Sequence, residues 1–493
     1  MSAPVRGGGA SPDLDPRTPA PAVSIIGLGA SGRAAARLAL AHGESVYVSD
    51  LRTDAHLETA AQELRELGAR VELGRHDLER IAASTHVVVS PGIPPHAPVF
   101  VELASRGIDW IGEPEFALRF HTGALIAITG TNGKTTTAAL VAHLLKAGGV
   151  DAVLGGNVGG GLAPAASQAL LDTPTPDWLV LEMSSYQLAG TRDFAPEIGV
   201  VTSLAPDHLD HYDSVEAYYA DKARLFGNAR PESQWVLNAE NPAVPALAGD
   251  APGTRHLVRY ANSHNDGGDY DEFIINDAPP AGRVEDGVLT LELEAGYPEP
   301  LLAVDELGIL GRHNVLNALM AAVTARLAGA SLAGIREGLA SFRPLPHRMQ
   351  PVGEVDGVLW VNDSKATNVE ATGAALESLD RPIVALLGGK DKGEDFTPLR
   401  RALARATRAA VLYGEARLRL EAELAAPTGG EPPCPIVRED RGFDEAVETA
   451  RGACVAGDLL LLSPACSSFD LFENYEARGR RFVELARRAG GAP

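Results

Sequence analysis

Residues 127–145 read AITGTNGKTTTAALVAHLL. This is the end of an apolar strand, a glycine-rich turn, a lysine and then the apolar rhythm of a helix. Backbone N–H groups in such a turn and at a helix N-terminus point at one anion, which is how a chain cradles phosphate. The turn is short. Ile128 stands where the ordinary P-loop has its first glycine, and Gly130 substitutes for it a little further along. In this reading Gly130, Thr131, Asn132 and Gly133 wrap the phosphates of ATP or GTP. Lys134 reaches the β/γ oxygens, and Thr135 or Thr136 offers a hydroxyl to Mg²⁺.

A different nucleotide fingerprint lies upstream. In IIGLGASG, Gly27, Gly29 and Gly32 fit G-x-G-x-x-G, and Asp50 ends the next strand at the spacing of a ribose-binding acid. NAD(P) suits this geometry, and so does the diphosphate of a UDP-sugar. Tight strand-to-helix packing also uses such glycines without any ligand. Ser90, Pro91 and Gly92 fall on the same sheet edge.

Downstream, DWLVLEMSS puts Glu182 at the end of an apolar strand, where it can supply a metal carboxylate or cap a helix. APDHLDHY adds Asp207, His208, Asp210 and His211, a candidate metal or substrate cluster whose plain alternative is solvated loop residues.

The 493-residue chain is long enough for roughly three domains. Its formal charge of -22 gives no global field for nucleic acid or an anionic membrane, so any phosphate must be held locally. No apolar run approaches the ~20 residues of a membrane helix. The start, rich in Pro, Gly and Ala, reads as a disordered tail over residues 1–21. Cys434, Cys454 and Cys466 have no metal-ligand spacing and argue for a reducing compartment. Of 43 Lys and Arg residues only Lys134, Lys146, Lys222, Lys365, Lys390 and Lys392 are lysines. Where a generic cation suffices the chain uses arginine, so a retained lysine marks a need for a compact ammonium or a nucleophilic amine.

Apolar strands alternate with helical stretches throughout, giving an α/β class with three domains. These are a Rossmann-like N-terminal unit (22–115), a central P-loop-type ATPase unit (116–344) and a Rossmann-like C-terminal unit (345–493). LGRHNVLNALMAAVTARLAGA reads as a helix from near Asn314, and the proline-rich SFRPLPHRMQPVG as the second joint. The segment NSHNDGGDYDEFIINDAPPAGRVEDG reads as loops and hairpins.

Several motifs then converge: GTNGKTT in its short form, GGNVG, LEMSSYQL, DHLDHY, GRHNVLNA, PHRMQ, NDSKATN and SPACSSFD. With them the chain resembles the ATP-dependent Mur ligases of peptidoglycan synthesis, from about Val23 to near its end. NDSKATN and SPACSSFD favour the branch that adds D-glutamate. The resemblance implies that the first glycine turn holds the uridine diphosphate of UDP-N-acetylmuramoyl-L-alanine while the short loop holds ATP. A diphosphate and a triphosphate are bound together, hence two cradles. It further implies an acyl phosphate, two Mg²⁺ ions, and Lys134, Glu182, His208 and Lys222 as catalytic residues. Thr135, Glu182, His208 and a carbamylated Lys222 would be the metal ligands. A neutral lysine amine can capture CO₂ and become an anionic ligand, which arginine cannot do.

Ala30, Ser31, Asp50, Arg52, Ser90, Pro91, Gly92, Asn157 and Ser184 match the contacts to the UDP-linked substrate. Asn314, Asn317, Arg348 and Asp363 match ATP contacts beyond the loop. Lys365, Thr367, Lys392, Ser468 and Tyr475 match the D-glutamate site. Tyr475 replaces a phenylalanine common in the family, and Lys390 could substitute for Lys392. The expected partners are these small molecules, with no nucleic acid or membrane, for a cytoplasmic monomer. A nicotinamide oxidoreductase would use Gly27 to Gly32 and Asp50 but leave Lys134 and Glu182 without a role.

Overall fold

The structure, a computed structural model, describes residues 20–93, 97–158, 162–208, 211–260, 279–379, 381–425 and 432–490. Most of the expected tail, Asp210 and the bulk of the polar segment after Tyr260 lie outside these residues. The chain divides into two compact units. The first runs to Phe120 and includes Ala165–Leu171 and Gly190–Arg192; the second holds the remainder.

The first unit is built on five parallel strands in the order Arg70–Leu73, Val46–Asp50, Val23–Ile26, His86–Val89, Ile111–Gly112. The apolar runs VSII and HVVV are buried in its centre, as two-sided burial in a parallel sheet requires. The strand order reverses beside Val23–Ile26, so the Gly27 turn opens at the switch point where open α/β sheets bind ligands. A side chain at Gly32 would put its Cβ 1.9 Å from the Gly27 carbonyl oxygen. The glycine lets the helix Ala30–Ala41 seat against the turn. Gly32→Ala is expected to cost about 3 kcal/mol, read as a lower denaturant midpoint at unchanged m-value.

Ala165–Leu171 joins this unit although it comes from the middle of the chain. The Ser167 N–H donates to the Glu113 carboxylate at 2.6 Å, and burial raises that acid to about 7.

The second unit contains two sheets. One has nine described strands, whose parallel portion runs Thr254–Val258, Gln234–Asn238, Ile198–Val201, Ala124–Thr129, Trp178–Glu182, Ala152–Gly156. Gly282–Glu285 adds in parallel beside Thr254–Val258, and Val288–Leu291 and Glu299–Ala303 then extend this edge antiparallel. Helices Lys134–Ala147 and Arg312–Leu327 share its main core with Ile126, Ile128, Val180 and Val200. The latter helix starts two residues before the expected Asn314, because Gly311 at φ 96° turns the chain into it.

The other sheet orders Gln350–Val355, Val358–Asn362, Leu459–Leu462, Ile383–Gly388, Thr407–Tyr413, Ile436–Arg438. Only its first pair is antiparallel. Consequently the loops bearing NDSKATN, GGKDKGEDF and SPACSSFD leave three adjacent parallel strands at the same end. All three cysteines are free; Cys434 and Cys466 are buried as small apolar side chains, whereas Cys454 is half-buried.

Candidate active site

The phosphate-type loop is fixed by the neighbouring strand end. Thr131 N–H donates to the Ser203 carbonyl at 2.8 Å, Asn132 N–H to Ser203 Oγ at 2.9 Å, and Thr202 Oγ1 to the Asn132 carbonyl at 2.5 Å. Gly133 has φ 84°, and a Cβ there would meet Asn317 Oδ1 at 2.6 Å. Glycine is required twice over at that position. The helix beginning at Lys134 leaves the N–H groups of its first turn without helical partners, as an anion site needs.

Two amines converge on this loop. Lys134 Nζ donates to the carbonyls of Gly130 and Thr131 at 2.8 and 2.7 Å, and Lys222 Nζ to Gly130 at 2.9 Å. Lys222 is 1% exposed and lies 4.5 Å from the Tyr218 ring centroid. Burial, then repulsion from Lys134, pushes its amine well below the usual lysine range, against attraction from Asp207 and Glu182. Burial also lowers Lys134, opposed by Glu182 and Asp207. A buried amine held low in pKa is a neutral nucleophile.

Glu182 ends its strand as expected and is 2% exposed. Its Oε1 accepts from Asn157 Nδ2 at 3.3 Å, while its buried Oε2 has no partner among the described residues. An orphan carboxylate oxygen at such a site fits a metal ligand. His208 adopts φ 56° and sits 3.8 Å from Asp207. Burial lowers its pKa despite Asp207, which favours the neutral, ligating imidazole. Among the described residues no three His, Cys, Asp or Glu side chains form a preassembled cluster.

A cavity of about 360 Å³ adjoins the loop, within the size range of small-molecule sites. Asn132, Gly133, Thr136, Asn314, Asn317, Arg348, Asp363 and Lys365 all line it. Asn317 accepts from Thr137 Oγ1 at 3.2 Å and donates to Asn314 at 3.1 Å, tying the two main helices together. Arg348 Nη2 donates to Thr135 Oγ1 at 2.6 Å. Asp363 accepts from Met349 N–H and Ser463 Oγ, yet burial still raises it to about 7.

Past Asp363, Lys365 lies 4.0 Å from the Tyr475 ring centroid, and burial lowers its amine to about 8. Lys392 pairs with Glu394 at 2.9 Å and Asp207 at 3.6 Å, whereas Lys390 bridges to Ser467 through its backbone. Ser468 is buried and Thr367 half-buried.

In the first unit, Asp50 accepts the N–H groups of Leu28 and Arg52, each at 2.9 Å. Burial opposes the charge, but these donors hold the carboxyl below its usual range. Asp50 thus braces the glycine turn itself. Arg52 folds onto it at 3.4 Å, and Ala30 and Ser31 open the following helix. Ser90, Pro91 and Gly92 follow the strand His86–Val89. Asn157 and Ser184 belong to the second unit, where Ser184 exchanges hydrogen bonds with Gln187 at a helix start.

Two residues of this site have no role assigned from the sequence. Asn132 Nδ2 donates to the Glu370 carboxylate, and Asn368 Nδ2 donates to Asn132 Oδ1 and Asp207 Oδ2, both at 3.4 Å. Glu370 has no local signal at all, whereas Asn368 closes the NDSKATN stretch and caps the helix Val369–Glu377.

Three domain families match the chain in order. They are a Mur ligase MurD-like N-terminal domain over residues 21–112, a Mur ligase middle domain over 128–325, and a Mur ligase glutamate ligase domain over 347–466. A UDP-N-acetylmuramoylalanine–D-glutamate ligase of Salinibacter ruber is 39% identical over 483 residues, spanning 96% of this chain and 99% of its own length. The chain belongs to the Mur ligase family. A relative of the same name from Acidobacterium capsulatum is 38% identical to this Mur ligase, covering 95% of this chain and 97% of its own.

Solved structures show the same fold at low identity. A pseudomurein peptide ligase type C of Methanothermus fervidus has a TM-score of 0.60 at 19% identity, covering 94% of this chain and 99% of its own. UDP-N-acetylmuramate-alanine ligase of Thermotoga maritima has a TM-score of 0.55 at 18% identity, covering 95% and 99%. No described helix of this Mur ligase is long and apolar enough to cross a membrane.

Proposed function

We propose that this Mur ligase joins D-glutamate to the alanyl carboxyl of UDP-N-acetylmuramoyl-L-alanine, converting ATP to ADP and phosphate, in peptidoglycan precursor synthesis. One observation carries the chemistry. Two amines, one of them fully buried, end on the Gly130 carbonyl, in a loop that lines a cavity of small-molecule size, near a carboxylate with an oxygen unpartnered among the described residues.

A carboxylate is a poor electrophile in water, so it is first made into an acyl phosphate. An oxygen of the alanyl carboxylate attacks the γ-phosphorus, and the bond from that phosphorus to the ADP oxygen breaks. The neutral amine of D-glutamate then attacks the acyl carbon, phosphate leaves from the tetrahedral intermediate, and the amine gives up a proton. Such transfers are governed by positioning and charge neutralisation. Lys134 leaves the loop carbonyls for the transferring phosphoryl group, and Arg348 turns from Thr135 toward the phosphates. Thr135, Glu182, His208 and Lys222 as its carbamate would hold two Mg²⁺ ions, whose charge would offset that of the triphosphate and the incoming carboxylate.

Asn314, Asn317 and Asp363 bind the nucleoside. In the first unit Ala30, Ser31, Asp50, Arg52 and Ser90 to Gly92 take the uridine diphosphate, while Asn157 and Ser184 contact the muramoyl moiety. Lys365 and Lys392 pair with carboxylates of D-glutamate, Thr367 and Ser468 orient it, and Tyr475 backs Lys365. The functional domains are residues 22–115, 116–344 and 345–493, and the enzyme works as a cytoplasmic monomer.

Phosphate release from ATP tests this reading. It is expected only when UDP-N-acetylmuramoyl-L-alanine and D-glutamate are both present, with L-glutamate at least about 100-fold poorer as acceptor. Release that ignores either substrate would sink it.

A further inference from the structure

Arg478 lies in the first turn of the helix Tyr475–Arg488 and is completely buried. All of its partners are neutral oxygens. Nε donates to Ser364 Oγ at 3.0 Å and Nη2 to the Ser364 and Cys466 carbonyls at 2.9 and 3.1 Å. Nη1 donates to the carbonyls of Ser467 and Gly388 at 3.2 and 3.5 Å. Its hydrogen bonds among the described residues include no carboxylate. A buried cation without a counter-ion is costly, and the positive end of a helix makes it costlier.

Those oxygens come from the ends of three adjacent parallel strands, Val358–Asn362, Leu459–Leu462 and Ile383–Gly388. Each loop carries a residue assigned above to the acceptor amino acid: Lys365 after Ser364, Ser468 after Ser467, and Lys392 beyond Gly388. The Ser364 hydroxyl, while accepting from Arg478, donates to the Tyr475 carbonyl at 2.9 Å. That relay fixes the turn whose aromatic ring lies against Lys365. Lysine could not replace this fork, because one ammonium cannot reach three strand ends.

We propose that Arg478 is a positioning residue for the acceptor. Its fork holds the three loops in register, and its unneutralised charge beneath them favours an amino acid with two carboxylates. The inference rests on the acceptor site assigned under the proposed function.

The test compares wild type, Arg478→Lys and Arg478→Met in phosphate release, varying each substrate in turn, alongside thermal unfolding. Arg478→Lys keeps charge but loses the fork, and is expected to raise KM for D-glutamate about 10-fold. Arg478→Met is expected to raise it about 100-fold and to shrink the preference for D-glutamate over D-glutamine. KM for ATP and for the UDP-linked substrate stays within about 2-fold in both, which a merely structural role would not produce.

Should Arg478→Met fail to fold, Arg478→Lys and Ser364→Ala decide by the same split. Unchanged acceptor KM and preference, or all three KM values rising together, overturns the inference. Wild type that ignores D-glutamate would instead sink the assigned acceptor, a distinguishable result.

Discussion

Replacing Lys222 with alanine is expected to lower ligation by about 10³-fold, with partial recovery on adding formate or acetate. The reason lies in where the amine sits. It is 1% exposed, bonded to the Gly130 carbonyl, and driven toward its neutral form by burial and by Lys134. A neutral amine adds CO₂ and gives up a proton to form a carbamate, so the side chain becomes an anion. A carbamate would add a second anion beside Glu182, where no three acids or histidines are clustered among the described residues. A small carboxylate diffusing into the space left by Lys222→Ala can stand in for the carbamate. Lys222→Arg separates the alternatives: arginine stays charged and cannot be carbamylated, so it is expected to be as inactive as alanine and beyond rescue. A vigorous arginine variant, or an alanine variant that no carboxylate revives, would show that position 222 needs only a cation or only its volume.

Glu182→Gln should separate stability from activity. The carboxylate is buried, one oxygen is weakly bonded to Asn157, and the other has no partner among the described residues. Removing that charge while keeping the shape relieves the burial of a carboxylate but gives up its attraction to Lys134 and Lys222, so the variant is expected to stay within about 1 kcal/mol of wild type. Its ligation is expected to fall about 10³-fold, because an amide is a poor ligand for a hard cation and adds no charge against the triphosphate. Thermal unfolding and steady-state turnover on the same preparation check both halves. A variant that loses activity together with several degrees of melting temperature would point to a structural role for Glu182.

What the sequence made legible was mostly local. A glycine turn between an apolar strand and a helix is written in consecutive residues, so the loop at Gly130, the helix from Lys134 and the strand ending in Glu182 could be read directly. The first glycine turn was legible as a turn but silent about its nucleotide. Its geometry answers to phosphate, and the structure gives Asp50 a further role in bracing Leu28. Contacts between distant segments were not legible. Nothing near Asn132 announces Glu370, which is 238 positions away, and nothing around Arg478 foretells that it gathers three strand ends. The scarcity of lysine marks Lys134 and Lys222 but says nothing of the arginines. Arg478 is silent in the sequence for that reason, although its fork geometry is the property a lysine cannot supply.

Oxygen transfer tests the central claim most directly. With ¹⁸O in both oxygens of the alanyl carboxylate of UDP-N-acetylmuramoyl-L-alanine, mass spectrometry of the released phosphate reports which bond was made. Attack of that carboxylate on ATP predicts one labelled oxygen in each phosphate and one kept in the new amide carbonyl. Unlabelled phosphate accompanying full ligation would contradict the account.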